Sequence, residues 1–266
     1  MDENRNPPRV PWQPLVAEMI GTGLLMLLGL SVVIVMFGDG STIAALVPSV
    51  TVRQVVSGFV FGTVGALITV SPVGKESGAH LNPAVTFGFW MMRKMEAPLA
   101  LGYVAAQLAG AIVGALPLLA WGEMGRSVAY GATVPGHGYT LRAVLLGEAA
   151  TTFTLVVGLC AFLGARALRP FTPALIPFLY AIMVPLESSI SGTSTNPARS
   201  LGPAVVSGVW DGWWVYWAGP LLGTLAALVI VEAFIDRIEV AKLYYFQTDR
   251  RRLFHRRRAA TEGALR

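Results

Sequence analysis

Six apolar runs govern what this chain can become. Each approaches the ~20 residues that a helix rising 1.5 Å per residue needs to cross roughly 30 Å of hydrocarbon. They fall at 15–37, 52–70, 97–121, 141–163, 172–190 and 213–235. Hydrophobic residues make up 54% of the chain against 13% charged, which does not describe a water-exposed surface, so lipid is the expected solvent. In lipid, backbone N–H and C=O groups must be satisfied inside the protein, and runs of this length do so as helices. The first run starts only after residue 14, carries Glu18 and is not followed by a small-residue cleavage site, so it is expected to remain as the first helix.

Basic residues counted loop by loop give the orientation. With the N-terminus cytoplasmic, that side collects Arg5, Arg9, Lys75, Arg93, Lys94, Arg166, Arg169 and the nine Lys or Arg from Arg237 onward, while the outer side holds Arg53, Arg126 and Arg142. The expectation is an integral, multi-pass protein of the cell membrane, inner or plasma, with both termini cytoplasmic. The basic tail reads as a topogenic signal or a contact with anionic membrane lipid rather than as a nucleic-acid site. Cys160 is the single cysteine, so one chain can form neither a disulfide nor a cysteine-built metal site. No metal or cofactor is called for, and no paired nucleophile and base suggests an enzyme.

The runs belong to two related halves. Leu15-Val16-Ala17-Glu18 with Thr22 resembles Leu145-Leu146-Gly147-Glu148 with Thr152. Asn82-Pro83-Ala84 recurs as Asn196-Pro197-Ala198, and Ala109-Gly110 with Gly114 recurs as Ala218-Gly219 with Gly223. Three spans per half is an odd number, so the second half enters from the opposite face and the repeat is inverted. The glycine pairs are read as close helix contacts. The expected organisation is a cytoplasmic segment 1–14, a first half 15–121, an extracellular connection 122–140, a second half 141–236 and a basic cytoplasmic tail 237–266.

Each half also carries an apolar stretch too short to span, 81–92 and 196–209. Both contain Asn-Pro-Ala near the start, and each residue suits a helix beginning: Asn as N-cap, Pro at the first position, where its missing N–H has no intrahelical partner. One copy is an ordinary helix start. Two copies, each after two full spans of its own half, predict half-helices over 82–92 and 197–207 that enter from opposite faces and meet at the midplane. Backbone without helical bonds at that depth has to line a cavity or be buried by protein, so Gly78-Ala79-His80 and Gly192-Thr193-Ser194 are expected to present carbonyls to a pore. Both positive helix ends would point at the pore centre while Asn82 and Asn196 donate to a passing water, an arrangement that opposes cations and interrupts a proton file.

Glu18 and Glu148 are carboxylates inside spans. Their matching places favour a structural role, accepting N–H groups from the re-entrant loop of their own half, over a proton relay. Arg199, without a counterpart in the first half, is read as a fixed cation near a narrow mouth.

With Ser77-Gly78-Ala79-His80-Leu81-Asn82-Pro83-Ala84-Val85-Thr86 and Thr195-Asn196-Pro197-Ala198-Arg199-Ser200 in view, the chain resembles the aquaporins, or major intrinsic proteins, from about residue 15 to 235. The resemblance implies an all-α membrane protein of six transmembrane helices and two re-entrant half-helices, assembled as a homotetramer with a pore in every monomer. It implies an outer constriction lined by Val184, Thr193, Arg199 and, from the second span, either Phe61 or Gly62. Water-selective members usually carry His where Val184 falls, whereas Ser200, Ala204 and Tyr216-Trp217 look like the water-channel branch. Glu187 is expected either to pair with Arg199 or to face solvent. The function read from these residues is a passive channel for water that also admits small neutral solutes such as glycerol and excludes protons and ions. The alternatives are a glycerol- or small-metalloid-type facilitator, a proton-coupled transporter using Glu18 and Glu148, and a closed-pore structural protein.

Overall fold

The computed structural model describes residues 11–234 together with 240, 241 and 243. Six helical spans long and apolar enough to cross a membrane are present among the described residues: α1 (Trp12–Phe37), α2 (Val50–Val70), α4 (Ala97–Ala115), α5 (Leu141–Gly164), α6 (Thr172–Glu187, preceded by a 3-10 turn at Arg169–Phe171) and α8 (Val215–Phe234). Two shorter helices, α3 (Pro83–Met91) and α7 (Pro197–Ser207), complete an all-α architecture among the described residues. The basic tail, apart from residues 240, 241 and 243, lies outside the described residues, as do the first ten residues.

The bounds follow local chemistry. Ser49 and Thr140 cap α2 and α5 by accepting from Val52 and Ala143 backbone N–H groups. The third run does not stay α-helical to residue 121: it turns into a 3-10 segment, Leu116–Trp121, where Pro117 has no N–H to donate. The fifth run stops as a helix at Glu187 rather than at 190, and the sixth begins at Val215 rather than at 213. At the other end α1 already starts at Trp12, so residues 12–14 belong to it. Three short helices have no apolar-run signature among the described residues, Thr42–Leu46 after α1, Pro72–Ser77 before the first Asn-Pro-Ala and Gly122–Arg126 in the connection between the halves.

The halves repeat one packing scheme. α1 packs on α4 as α5 packs on α8, and α2 runs along α6 to join them. In the first pair a side chain at Gly110 would strike the Met19 carbonyl and one at Gly114 the Gly23 carbonyl; in the second, Gly219 and Gly223 meet Glu148 Cβ and the Ala149 carbonyl. Glycine thus lets the backbones touch where lipid supplies no hydrophobic drive between helices. The outward faces keep large apolar side chains exposed, Leu101, Leu146, Leu186 and Val229 among them, as suits a lipid-facing surface.

Candidate functional site: the meeting point of the half-helices

Two loops, 78–82 and 192–196, bring the half-helices together, and they repeat each other's backbone. Gly78, Ala79 and Leu81 take φ of +85°, +50° and +51°; Gly192, Thr193 and Thr195 take +86°, +51° and +54°. Four of these six are not glycine and sit in the left-handed region at a cost on the order of 1 kcal/mol each, which the surrounding bonds must offset.

Those bonds come from the buried acids. Glu18 accepts the His80 and Leu81 backbone N–H groups at 2.9 and 2.8 Å and the Gln107 side-chain amide at 2.7 Å. Glu148 accepts the Ser194 and Thr195 N–H groups, both at 2.8 Å, and the Ser191 hydroxyl at 2.5 Å. From the other side Tyr103 donates to the Ser77 carbonyl and Tyr216 to the Ser191 carbonyl. Both acids are fully buried and accept from loop backbone N–H groups.

The asparagines tie the halves to each other. Asn82 Oδ1 caps its own helix through the Ala84 N–H, and Asn196 Oδ1 does the same through Ala198 and Arg199. Asn82 Nδ2 donates to the Thr195 carbonyl at 2.9 Å while Asn196 Nδ2 donates to the Leu81 carbonyl at 2.8 Å. Each amide nitrogen has two hydrogens, so one remains for whatever occupies the space before it. Pro83, Ala84, Pro197 and Ala198 are buried behind the asparagines and line neither of the two cavities that approach them.

Two cavities approach this point. One, of about 130 Å³, opens on the face where α1 begins and is lined by Gly78, Ala79, His80, Leu81, Asn82, Gly62 and Asn196 among others; Leu243 of the tail reaches it. The second, of about 280 Å³, opens on the opposite face and is lined by Val184, Gly192, Thr193 and Arg199. Both exceed the ~10–15 Å³ needed for one water several times over. Phe61 and Tyr180 line both cavities, their ring centroids 5.8 Å apart, so these two rings stand where the cavities adjoin.

Of the two second-span residues, Phe61 reaches the far cavity and Gly62 does not. A side chain at Gly62 would meet the Pro177 backbone at 2.7 Å, so that position serves the α2–α6 contact. The Arg199 guanidinium lies 5.9 Å from the Phe61 ring centroid and donates to the Gly131 carbonyl at 2.6 Å. Ser194 lines neither cavity: its hydroxyl donates to the Asn196 carbonyl and meets Ser200, so it faces the wall. Glu187 does neither thing expected of it. It is buried against Gly147 and makes no ion pair with Arg199.

Three contributors escaped the sequence reading. Tyr180 lies one helical turn before Val184, a spacing that could have marked it, and its hydroxyl meets Thr195 Oγ1 at 2.6 Å. The connection 122–140 is not a mere linker: Gly131 supplies the carbonyl for Arg199, and Thr133 donates to Ser200 at 2.7 Å. Gln107 carries no motif and is recognisable only once it is seen bridging Glu18 and Thr86.

A family profile described as major intrinsic protein matches residues 7–230. Aquaporin TIP2-2 of Zea mays is 37% identical over 229 residues, covering 83% of this chain and 86% of that protein. The lens fiber major intrinsic protein of Gallus gallus is 33% identical over 229 residues, covering 83% and 80%. Among solved structures the aquaglyceroporin from Plasmodium falciparum superposes with a TM-score of 0.63 over 84% of this chain and 96% of that one, at 20% identity, a likeness of fold.

Proposed function

The chain belongs to the major intrinsic protein family, and on that premise we propose that it is a passive channel for water that also admits small neutral solutes such as glycerol while excluding protons and ions. The observation that carries the reading is the reciprocal asparagine pair, both amides lining the near cavity with one free hydrogen each, in a cavity that shares Phe61 and Tyr180 with the far one. A water reaching that pair can accept from both amides. Its own hydrogens then point outward along both arms of the path, so it has no lone pair free to take a proton from either neighbour. The positive ends of α3 and α7 add a barrier to cations.

In this reading Phe61, Val184, Thr193 and Arg199 form the constriction on the far face, and Glu18 and Glu148 hold the loops rather than relay protons. Two apolar residues, Phe61 and Val184, favour a solute with carbon atoms, which supports the glycerol-type alternative. Ser200, Ala204 and Tyr216-Trp217 support water as the main permeant. The orientation with cytoplasmic termini rests on the basic-residue count, and the exposed apolar faces are compatible with a homotetramer, each monomer holding its own path.

Stopped-flow light scattering on proteoliposomes tests the proposal. Fast shrinkage in an impermeant osmolyte with re-swelling in glycerol is the expected result. Shrinkage without re-swelling restricts the channel to water, and control-like rates in both sink the channel reading.

A further inference from the structure

One buried carboxylate is used by none of the bonds that hold the loops. Glu187, the last residue of α6, is 5% exposed, and neither of its oxygens has a hydrogen-bond partner. A buried carboxylate without a partner is costly, so the position asks for a reason. Room for it comes from Gly147 of α5, where any side chain would run into the Glu187 carboxyl.

The carboxyl lies against the Ser191 and Thr193 hydroxyls and the Thr193 backbone N–H, at a longer reach than the closed hydrogen bonds around it. Ser191 spends its hydroxyl on Glu148. Thr193 does not: its Oγ1 is buried and unpartnered too. The two unpartnered polar groups of this wall therefore face each other, and one belongs to a residue that lines the far cavity beside Arg199 and Val184. With Oγ1 sunk in the wall, what Thr193 shows the cavity is not its hydroxyl.

We propose that Glu187 sets the solute preference of the far constriction by holding the Thr193 hydroxyl in the wall, out of the path. The inference rests on the channel reading above and adds a positioning residue that no permeating molecule touches. A threonine exchanges hydroxyl and methyl by rotating about one bond between staggered wells. With Glu187 as acceptor the hydroxyl stays behind, and Phe61, Val184 and Thr193 form an apolar surface beside the single strong donor Arg199. That combination suits a polyol, whose carbons lie against the apolar side while its hydroxyls accept from the guanidinium. Without the acceptor the hydroxyl is free to turn into the path, where it favours water.

The ratio of glycerol to water permeability in proteoliposomes reads this without depending on how much protein folds. Glu187→Met should lower the ratio by roughly two- to tenfold, the range that one hydrogen bond spans in a rate. Glu187→Gln, which keeps an acceptor oxygen, should restore it. In a Thr193→Val background, which has no hydroxyl to turn inward, Glu187→Met should leave the ratio at the value that background sets. The proposal is overturned if Glu187→Met lowers both fluxes equally or has the same effect on the ratio with Val at 193. Should Glu187→Met fail to assemble, Glu187→Ala takes its place, with the same fall in the ratio expected and the same results overturning the proposal. A wild type that passes water and excludes glycerol overturns the inference but spares the water channel, whereas no water flux overturns the channel reading itself.

Discussion

Replacing Glu18 by glutamine separates a carboxylate that holds a loop from one that carries protons. The native side chain accepts three donors, His80 N–H on one oxygen and Leu81 N–H and the Gln107 amide on the other, at 2.7 to 2.9 Å. A glutamine of the same shape offers one acceptor oxygen, so its own amide nitrogen has to face at least one of those donors. The least damaging rotamer turns it to His80, which loses one charge-assisted bond and strands a buried N–H at a cost of about 1.5–3 kcal/mol. The two retained bonds lose their ionic acceptor, a loss offset by the cheaper burial of a neutral amide. The net destabilisation is about 2 kcal/mol. Denaturant unfolding of the purified protein in detergent reads that value, and water flux normalised to folded protein reads the function. We expect the unfolding midpoint to fall and the flux per folded channel to hold. Unchanged stability with lost flux would refute the reasoning, as would wild-type flux that follows a pH gradient and disappears in the variant.

Three further outcomes follow from the geometry. Thr193→Phe narrows the far constriction and should reduce glycerol flux more than water flux in the same vesicles; equal losses mean that residue 193 does not line it. Gly114→Leu drives a side chain into the Gly23 backbone and should cost more than ~3 kcal/mol by forcing α1 from α4, seen as loss of the folded species in detergent chromatography. Asn82→Asp keeps the helix cap but sets a carboxylate oxygen against the Thr195 carbonyl and removes the free amide donor; vesicles holding a pH-sensitive dye should show a cation or proton leak absent from the wild type.

The parts of this molecule that could be read in advance were those written in side chains with one dominant purpose. The spans declared themselves because lipid tolerates so few charges, and the half-helices because Asn-Pro at the start of a short apolar stretch has few other uses. The walls of the path were harder. Tyr180 looks like one more aromatic in an apolar helix until Thr195 is seen at its hydroxyl. The partner of Arg199 is a backbone carbonyl, and every residue has one, so nothing in the identity of Gly131 announced it. Phe61 and Gly62 could not be separated by counting, because the register depends on which face of α2 meets α6, and that is decided by the close approach of Gly62 to Pro177. Glu187 misled for the same reason: its place is made by the side chain that Gly147 lacks on another helix.

The exchanged asparagine bonds also impose an order in time. Asn82 donates to a carbonyl 113 residues later in the chain. At synthesis rates of about 5–20 residues per second, the first half-helix waits roughly 6 to 23 s, its amide without that acceptor, before residue 195 exists. Through that interval the first loop's left-handed turns are held by contacts from its own half, Glu18, Gln107, Tyr103 and Ser77 among them. Glu18, working within the first half alone, is thus the contact that holds the first loop in shape until the second half arrives.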